Sequence, residues 1–128
     1  MANPNIVGVV SIYAGNAAWA LTATVTTTLL TVAADVIVKV NSIIATNTHA
    51  TNATALTLDV NGIGTTVTGV TGTSLATTAK IASTINIPAD DILVVIDKPI
   101  YLMEADVLRG GATSACDLFI SYEVINDA

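Results

Sequence analysis

Charge is what this chain has least of. Ten acidic and four basic residues make up only 11% of its 128 positions, where soluble domains carry roughly 25%. A surface that charge cannot cover is either adhesive or covered by other subunits, so the composition predicts a homo-oligomer working in an assembly. The four basic residues, Lys39, Lys80, Lys98 and Arg109, form no run, and the net charge is -6. Nucleic-acid binding needs a basic footprint, so no nucleic-acid partner is expected. Cysteine occurs once, at Cys116, which excludes an intramolecular disulfide and reads as a small core residue. Histidine also occurs once, at His49. One histidine and one cysteine fall short of a zinc site, and neither a metal nor a cofactor is expected. The five aromatics, Tyr13, Trp19, Tyr101, Phe119 and Tyr122, are too few and too strand-bound to form the stacking platforms of a carbohydrate-binding module.

No charged residue precedes Asp35, so a membrane segment has to be considered. A signal peptide needs a basic start, which MANPNIVGVV lacks. A spanning helix needs about 20 mostly apolar residues, and this region is broken by Asn3, Pro4, Asn5, Gly8, Gly15 and Asn16 before turning threonine-rich. It reads as strands, with no membrane partner.

Catalytic patterns are equally sparse. Ser42 or Ser114 with His49 and an aspartate would make a formal triad, but no GxSxG elbow exists and His49 lies in a small, polar stretch. The glycine-rich NGIGTTVTGVTGT has Val67 where a GxGxxG cradle needs glycine. Asp90, Asp91, Asp97, Glu104 and Asp106 have the chemistry of calcium ligands but no EF-hand spacing, and solvated turns account for them. Asn52-Ala53-Thr54 is a glycosylation sequon with no secretion signal beside it. An enzyme is not expected.

What is there in quantity is valine, isoleucine, threonine and alanine. β-Branched residues favour a pleated surface, and no segment keeps helical spacing beyond two turns. Residues 1–5 read as an extended arm. Strands are expected at 6–13 and 18–24, with Gly15-Asn16 as the turn between them, then at 26–32 and 36–46. In the last of these Val36, Val38, Val40 and Ile44 share a side. Alternation resumes at Leu56, Leu58 and Val60, and Asn61-Gly62 is the strongest short-range hairpin signal. A long strand, 75–87, should turn Ile81, Ile85 and Ile87 inward. The all-apolar 92–96 should be central and covered on both faces. A short edge strand at 100–103 and a Gly110-Gly111 turn follow. The closing strand alternates Cys116, Leu118, Ile120, Tyr122 and Val124 with Asp117, Phe119, Ser121 and Glu123. The first set belongs to a core, the second to solvent or a neighbouring subunit.

VAADVIVKV at 32–40 echoes IPADDILVVI at 87–96, as strand-and-turn grammar allows. The fold expected is all-β: one antiparallel β-sandwich domain over residues 6–128, about eight strands, jelly-roll or immunoglobulin-like. Trp19, the only tryptophan, reads as a core anchor or as an anchor at the centre of a subunit interface.

The opening MANPNIVGVVSI, the strand VIVKVNSI and the ending IPADDILVVIDKPIYLMEADVLRG with DLFISYEVI together resemble small virion structural proteins of tailed bacteriophages, of cyanophage type. The family's D-x-[LI]-R strand is represented by Asp106, Leu108 and Arg109, and its SYE strand by Ser121, Tyr122 and Glu123; Ala105 stands where the family pattern has glycine. The resemblance covers about half the chain in short pieces. It implies a β-sandwich that decorates or cements a capsid from its surface, with a trimer at local three-fold positions favoured and the major capsid protein as partner. It also admits a tail, neck or baseplate component or a host-binding fibre domain. Within that frame Met1, Ala2, Asn3, Pro4 and Asn5 are the candidate docking arm, with Trp19 as a further interface candidate.

Overall fold

A computed structural model of the chain describes residues 8–22, 27–62 and 78–126. Among these residues lie nine strands and no α-helix: β1 (Ser11–Leu21), β2 (Thr27–Thr31), β3 (Val36–Asn47), β4 (Thr54–Asn61), β5 (Thr78–Ile87), β6 (Ile92–Ile96), β7 (Ile100–Leu102), β8 (Val107–Ala112) and β9 (Cys116–Asn126). They form two antiparallel sheets. One runs β1-β9-β3-β6 with β7 also on β3, and the other runs β2-β8-β4-β5. Since β7 pairs Val38 to Val40 and β6 pairs Ile43 to Thr46, the two short strands occupy one position along the same flank of β3. Counted as a single interrupted strand, they give the eight-strand order of a jelly roll, in which the chain crosses repeatedly from sheet to sheet. That order decides between the two sandwiches the sequence allowed.

The core is built from the inward set of each sheet. Val38, Val40, Ile43 and Ala45 on β3 and Leu118 and Ile120 on β9 meet Leu56 and Leu58 on β4 and Leu108 on β8, all buried. β3 and β9 pair along their whole length, which makes them the centre of their sheet. A bulge at Asn41, between Val40 and Ser42 in the pairing, reverses the parity of β3. Ile43 therefore points inward and Ile44 outward, not Ile44 inward as strict alternation would have it.

Five other local expectations are corrected by tertiary packing. Gly15 and Asn16 are not a turn: β1 runs straight through them, and a Cβ on Gly15 would come within 2.9 Å of the Tyr122 ring that lies over it. Gly110 and Gly111 are not a turn either. They are buried inside β8, and a Cβ on Gly110 would stand 2.5 Å from a Leu58 methyl. Asn61-Gly62 does not close a two-residue hairpin, because Asn61 faces Thr78 across the β4–β5 ladder. Gly62 instead takes φ 89° with its backbone against the Ala105 carbonyl, 2.6 Å from where a Cβ would stand. Finally, β6 is an edge strand rather than a doubly covered one, with Ile92 59% and Val94 52% exposed. In β5, Ile87 is buried and Ile81 half-buried, but Ile85 is turned out by a bulge where Thr84 holds φ 48°.

Three interstrand turns share one grammar. Each opens on a buried apolar residue (Val32, Ile87 or Leu102) and reaches a left-handed residue three positions later: Asp35 at φ 60°, Asp90 at 55° and Ala105 at 71°. The echo between 32–40 and 87–96 is this turn used twice, and 102–107 uses it again. The first and third meet at one end of the sandwich, where Val32 N–H donates to the Asp106 carbonyl, Ala105 N–H to the Val32 carbonyl and Asp35 N–H to Glu104 Oε2.

Candidate assembly surface

The outer face of the β1-β9-β3-β6 sheet follows from the pairing register. One row across all four strands reads Ala18, Phe119, Ile44, Val94, and the next reads Ala20, Asp117, Thr46, Ile92. Phe119 is 44% exposed, and Ala18 and Ala20 are exposed beside it. Two rows further along, Glu123 and Lys39 face one another, with half-exposed Tyr101 beyond Lys39. This face therefore carries an apolar row with Ala20 and Ile92 beside it, bounded on one flank by Asp117 and Thr46 and on the other by the polar row Asn16, Ser121 and Ser42, and its exposed aromatic suits an interface centre. The closing strand's outward set, Asp117 to Glu123, lies on it.

The other sheet is finished differently. On its outer side Asp59 is buried and accepts two hydrogen bonds from Arg109, at 2.7 Å to Oδ1 and 3.0 Å to Oδ2, directly across the β4–β8 ladder. Hydrogen bonding to that carboxylate pushes the Arg109 guanidinium above its ordinary range, so it stays charged. Lys80 faces Asp59 from β5. In the sequence Arg109 stands out only through the D-x-[LI]-R pattern. Its partner fifty residues earlier was marked only by a lone carboxylate in an apolar strand.

The chemistry-bearing residues have structural work to do. Asn47, buried at the end of β3, donates from Nδ2 to the carbonyls of Asn52, Ile87 and Pro88 and accepts from His49 N–H. His49 Nδ1 accepts from the backbone N–H of Thr51 and Asn52, so the ring organises the 48–53 loop. Ser42 lies on β3 opposite Ser121, while Ser114 exchanges hydrogen bonds with Thr54. Burial pushes the Cys116 thiol up, with Asp117 adding to the shift, which disfavours the reactive thiolate. The acidic residues are spread over separate turns. Glu104 caps Asp35 N–H, Asp91 Oδ1 accepts from Ile92 N–H, and Asp106 Oδ2 accepts from Met103 N–H at 2.9 Å. Among the described residues no three His, Cys, Asp or Glu side chains gather as a metal site needs.

Of the interface candidates, Met1, Ala2, Asn3, Pro4 and Asn5 lie outside the described residues. Trp19 is half-buried on β1, opposite Leu118 and packed against the core.

No protein-family model and no curated protein matches the chain. Solved structures similar to it include Bacillus endospore appendages, a family of disulfide-linked pili, at 12% identity and TM-score 0.47, covering 91% of this chain and 86% of that one. A chain of the infectious bursal disease virus VP2 subviral particle is similar at 17% identity and TM-score 0.45, over 91% of this chain and 33% of its own length. A chain of the same virus, Gx strain, follows at 13% and 0.37, over 91% and 40%. A likeness this distant bears on neither function nor partners.

Proposed function

We propose that this chain is a non-enzymatic structural subunit of a tailed-bacteriophage particle: a capsid decoration (cement) protein on the head surface, working as a homo-oligomer and bound to the major capsid protein. The observation that carries the reading is the apolar outer face of the β1-β9-β3-β6 sheet, where Phe119, Val94 and Ile92 remain exposed in a chain with little charge to spare. An exposed apolar row of this kind marks an interaction surface. The jelly-roll order is consistent with this, being one of the frames on which viral capsid domains are built, and that support is by analogy of fold. The virion sequence resemblance supplies the phage and the trimer at local three-fold positions. Residues 1–5 serve as the docking arm, adding backbone hydrogen bonds to a shell protein without demanding particular side chains.

Fractionation of purified particles into heads and tails, with copies counted in each, tests the assignment. Decoration predicts the chain on heads at a copy number that scales with the lattice. A few copies confined to tails would overturn it in favour of a tail, neck, baseplate or fibre component. Deleting residues 1–5 should leave the circular dichroism and thermal melt unchanged and weaken attachment to heads.

A further inference from the structure

The described part of the molecule has four sheet edges, and three of them are blunted. β2 is five residues long and its pairing slips between Thr28 and Leu30. β5 carries Lys80 and the bulge at Thr84. β6 and β7 are five and three residues long, separated by Asp97, Lys98 and Pro99. Short length, charge, proline and bulges are the devices that stop an edge from pairing with another chain. β1 has none of them. It runs eleven residues without charge or proline, its register on β9 is unbroken from Ser11 to Leu21, and among the described residues β9 is its only strand partner. Along it Ile12 is 59% and Tyr13 63% exposed.

We propose that β1 is a docking edge for β1 of a second copy of this chain, the two strands pairing antiparallel about a two-fold axis through Asn16. The occupant follows from how the strand matches itself when turned about its central residue. Asn16 is its midpoint, with five residues on either side. Pairing about it sets Ile12 opposite Ala20, Ala14 opposite Ala18 and Tyr13 opposite Trp19 of the partner copy. Inward residues meet inward ones and outward meet outward, as a shared sheet requires. On the outer face Ile12 meets the small Ala20 and alanine meets alanine, the exposed Tyr13 ring gains an aromatic neighbour, and no charge meets a like charge. An uncharged edge holds nothing that selects a charged foreign strand, whereas it matches itself. The contact is isologous and joins two sheets into one. Being two-fold, it adds to a three-fold contact instead of replacing it, and it does not depend on attachment to a capsid.

Disulfide trapping tests the register on the full chain. Positions 12, 14, 16, 18 and 20 are all exposed, so substitutions there leave the core alone. Asn16→Cys places two thiols on the axis, where facing Cα atoms of an antiparallel pair stand about 4.5–5.5 Å apart, within disulfide reach. Ile12→Cys places its thiol about 27 Å along the strand from its own copy. Asn16→Cys should form a covalent dimer at least tenfold faster than Ile12→Cys, while Ile12→Cys with Ala20→Cys cross-links like Asn16→Cys. The wild-type chain, with Cys116 buried, is the uncross-linked control. In sedimentation, Ala14→Lys with Ala18→Lys should weaken pairing at least tenfold, and Ala14→Lys with Ala18→Glu should restore it, because position 14 faces position 18. Equal cross-linking at 12 and 16, or equal association of the two double variants, overturns the proposal and leaves the decoration reading untouched.

Discussion

Ala105 and Asp106 sit side by side in the turn between β7 and β8 and respond to substitution for different reasons. Ala105 holds φ 71°, at the position where the other two turns of this kind place Asp35 and Asp90. A left-handed backbone costs an L-residue with a Cβ roughly 1–2 kcal/mol, part of which glycine gives back through the freedom of its unfolded chain. Ala105→Gly is therefore expected to stabilise the fold by about 0.5–1 kcal/mol, read as a rise in the denaturant midpoint. Asp106 is buried and its carboxyl is raised above its ordinary value of 3.8, chiefly by burial and against the lowering hydrogen bond from Met103 N–H. A raised value means that the folded chain holds this proton more tightly than the unfolded one. The resulting contribution is complete below the unfolded value and is lost as pH rises through the folded one. Asp106→Asn keeps an oxygen for Met103 N–H and has no charge to bury, so its stability should decline less than wild type from pH 4 towards neutrality. Asp106→Ala removes the acceptor and should cost about 1 kcal/mol at low pH, where the wild-type carboxyl is neutral. Urea melts across that range check both.

β9 shows what an element's pattern carries and where it stops. Its alternation was legible because it holds from Cys116 to Ile120, where Cys116, Leu118 and Ile120 are buried and Asp117 and Phe119 exposed. Beyond Ile120 it fades, Tyr122 and Val124 being half-buried like Ser121 and Glu123, and Ile125 is buried. Ile120→Asp would bury an unpaired charge and should unfold the chain, at more than about 4 kcal/mol. Phe119→Lys, one residue away on the outer face, should shift stability by under about 1 kcal/mol while reducing self-association. Thermal melts paired with sedimentation separate the two effects. Legibility failed where a signal has two physical causes. Gly-Asn or Gly-Gly marks a turn or a close approach, and Gly15 and Gly110 prove to be the latter, under side chains (Tyr122 and Leu58) that are remote in sequence. An all-apolar strand marks burial on both faces of one molecule or on one face with an interface on the other. β6 has Val94 and Ile92 exposed, so the sequence property remained while the single chain lacked its cover. The Asp59–Arg109 pair and the Asn47 hub were invisible for the same reason: their partners are set by sheet order, which no local window contains.

At the scale of the whole molecule the two sheets divide the work. The β2-β8-β4-β5 sheet carries Lys80, Asp59 and Arg109 in one row across its outer side, a charged finish suited to water. The β1-β9-β3-β6 sheet presents the apolar row and an undefended edge. Each outer face carries three charged residues, Lys80, Asp59 and Arg109 on the first sheet and Lys39, Asp117 and Glu123 on the second, so the asymmetry lies in the apolar side chains: Phe119, Val94 and Ile92 stand exposed together on the second. Light scattering of the purified chain at micromolar concentration reads whether that face gathers further copies. The expected mass is a multiple of 13.0 kDa that falls with Phe119→Lys; a wild-type chain that stays monomeric and also leaves capsids unbound would overturn the assembly reading.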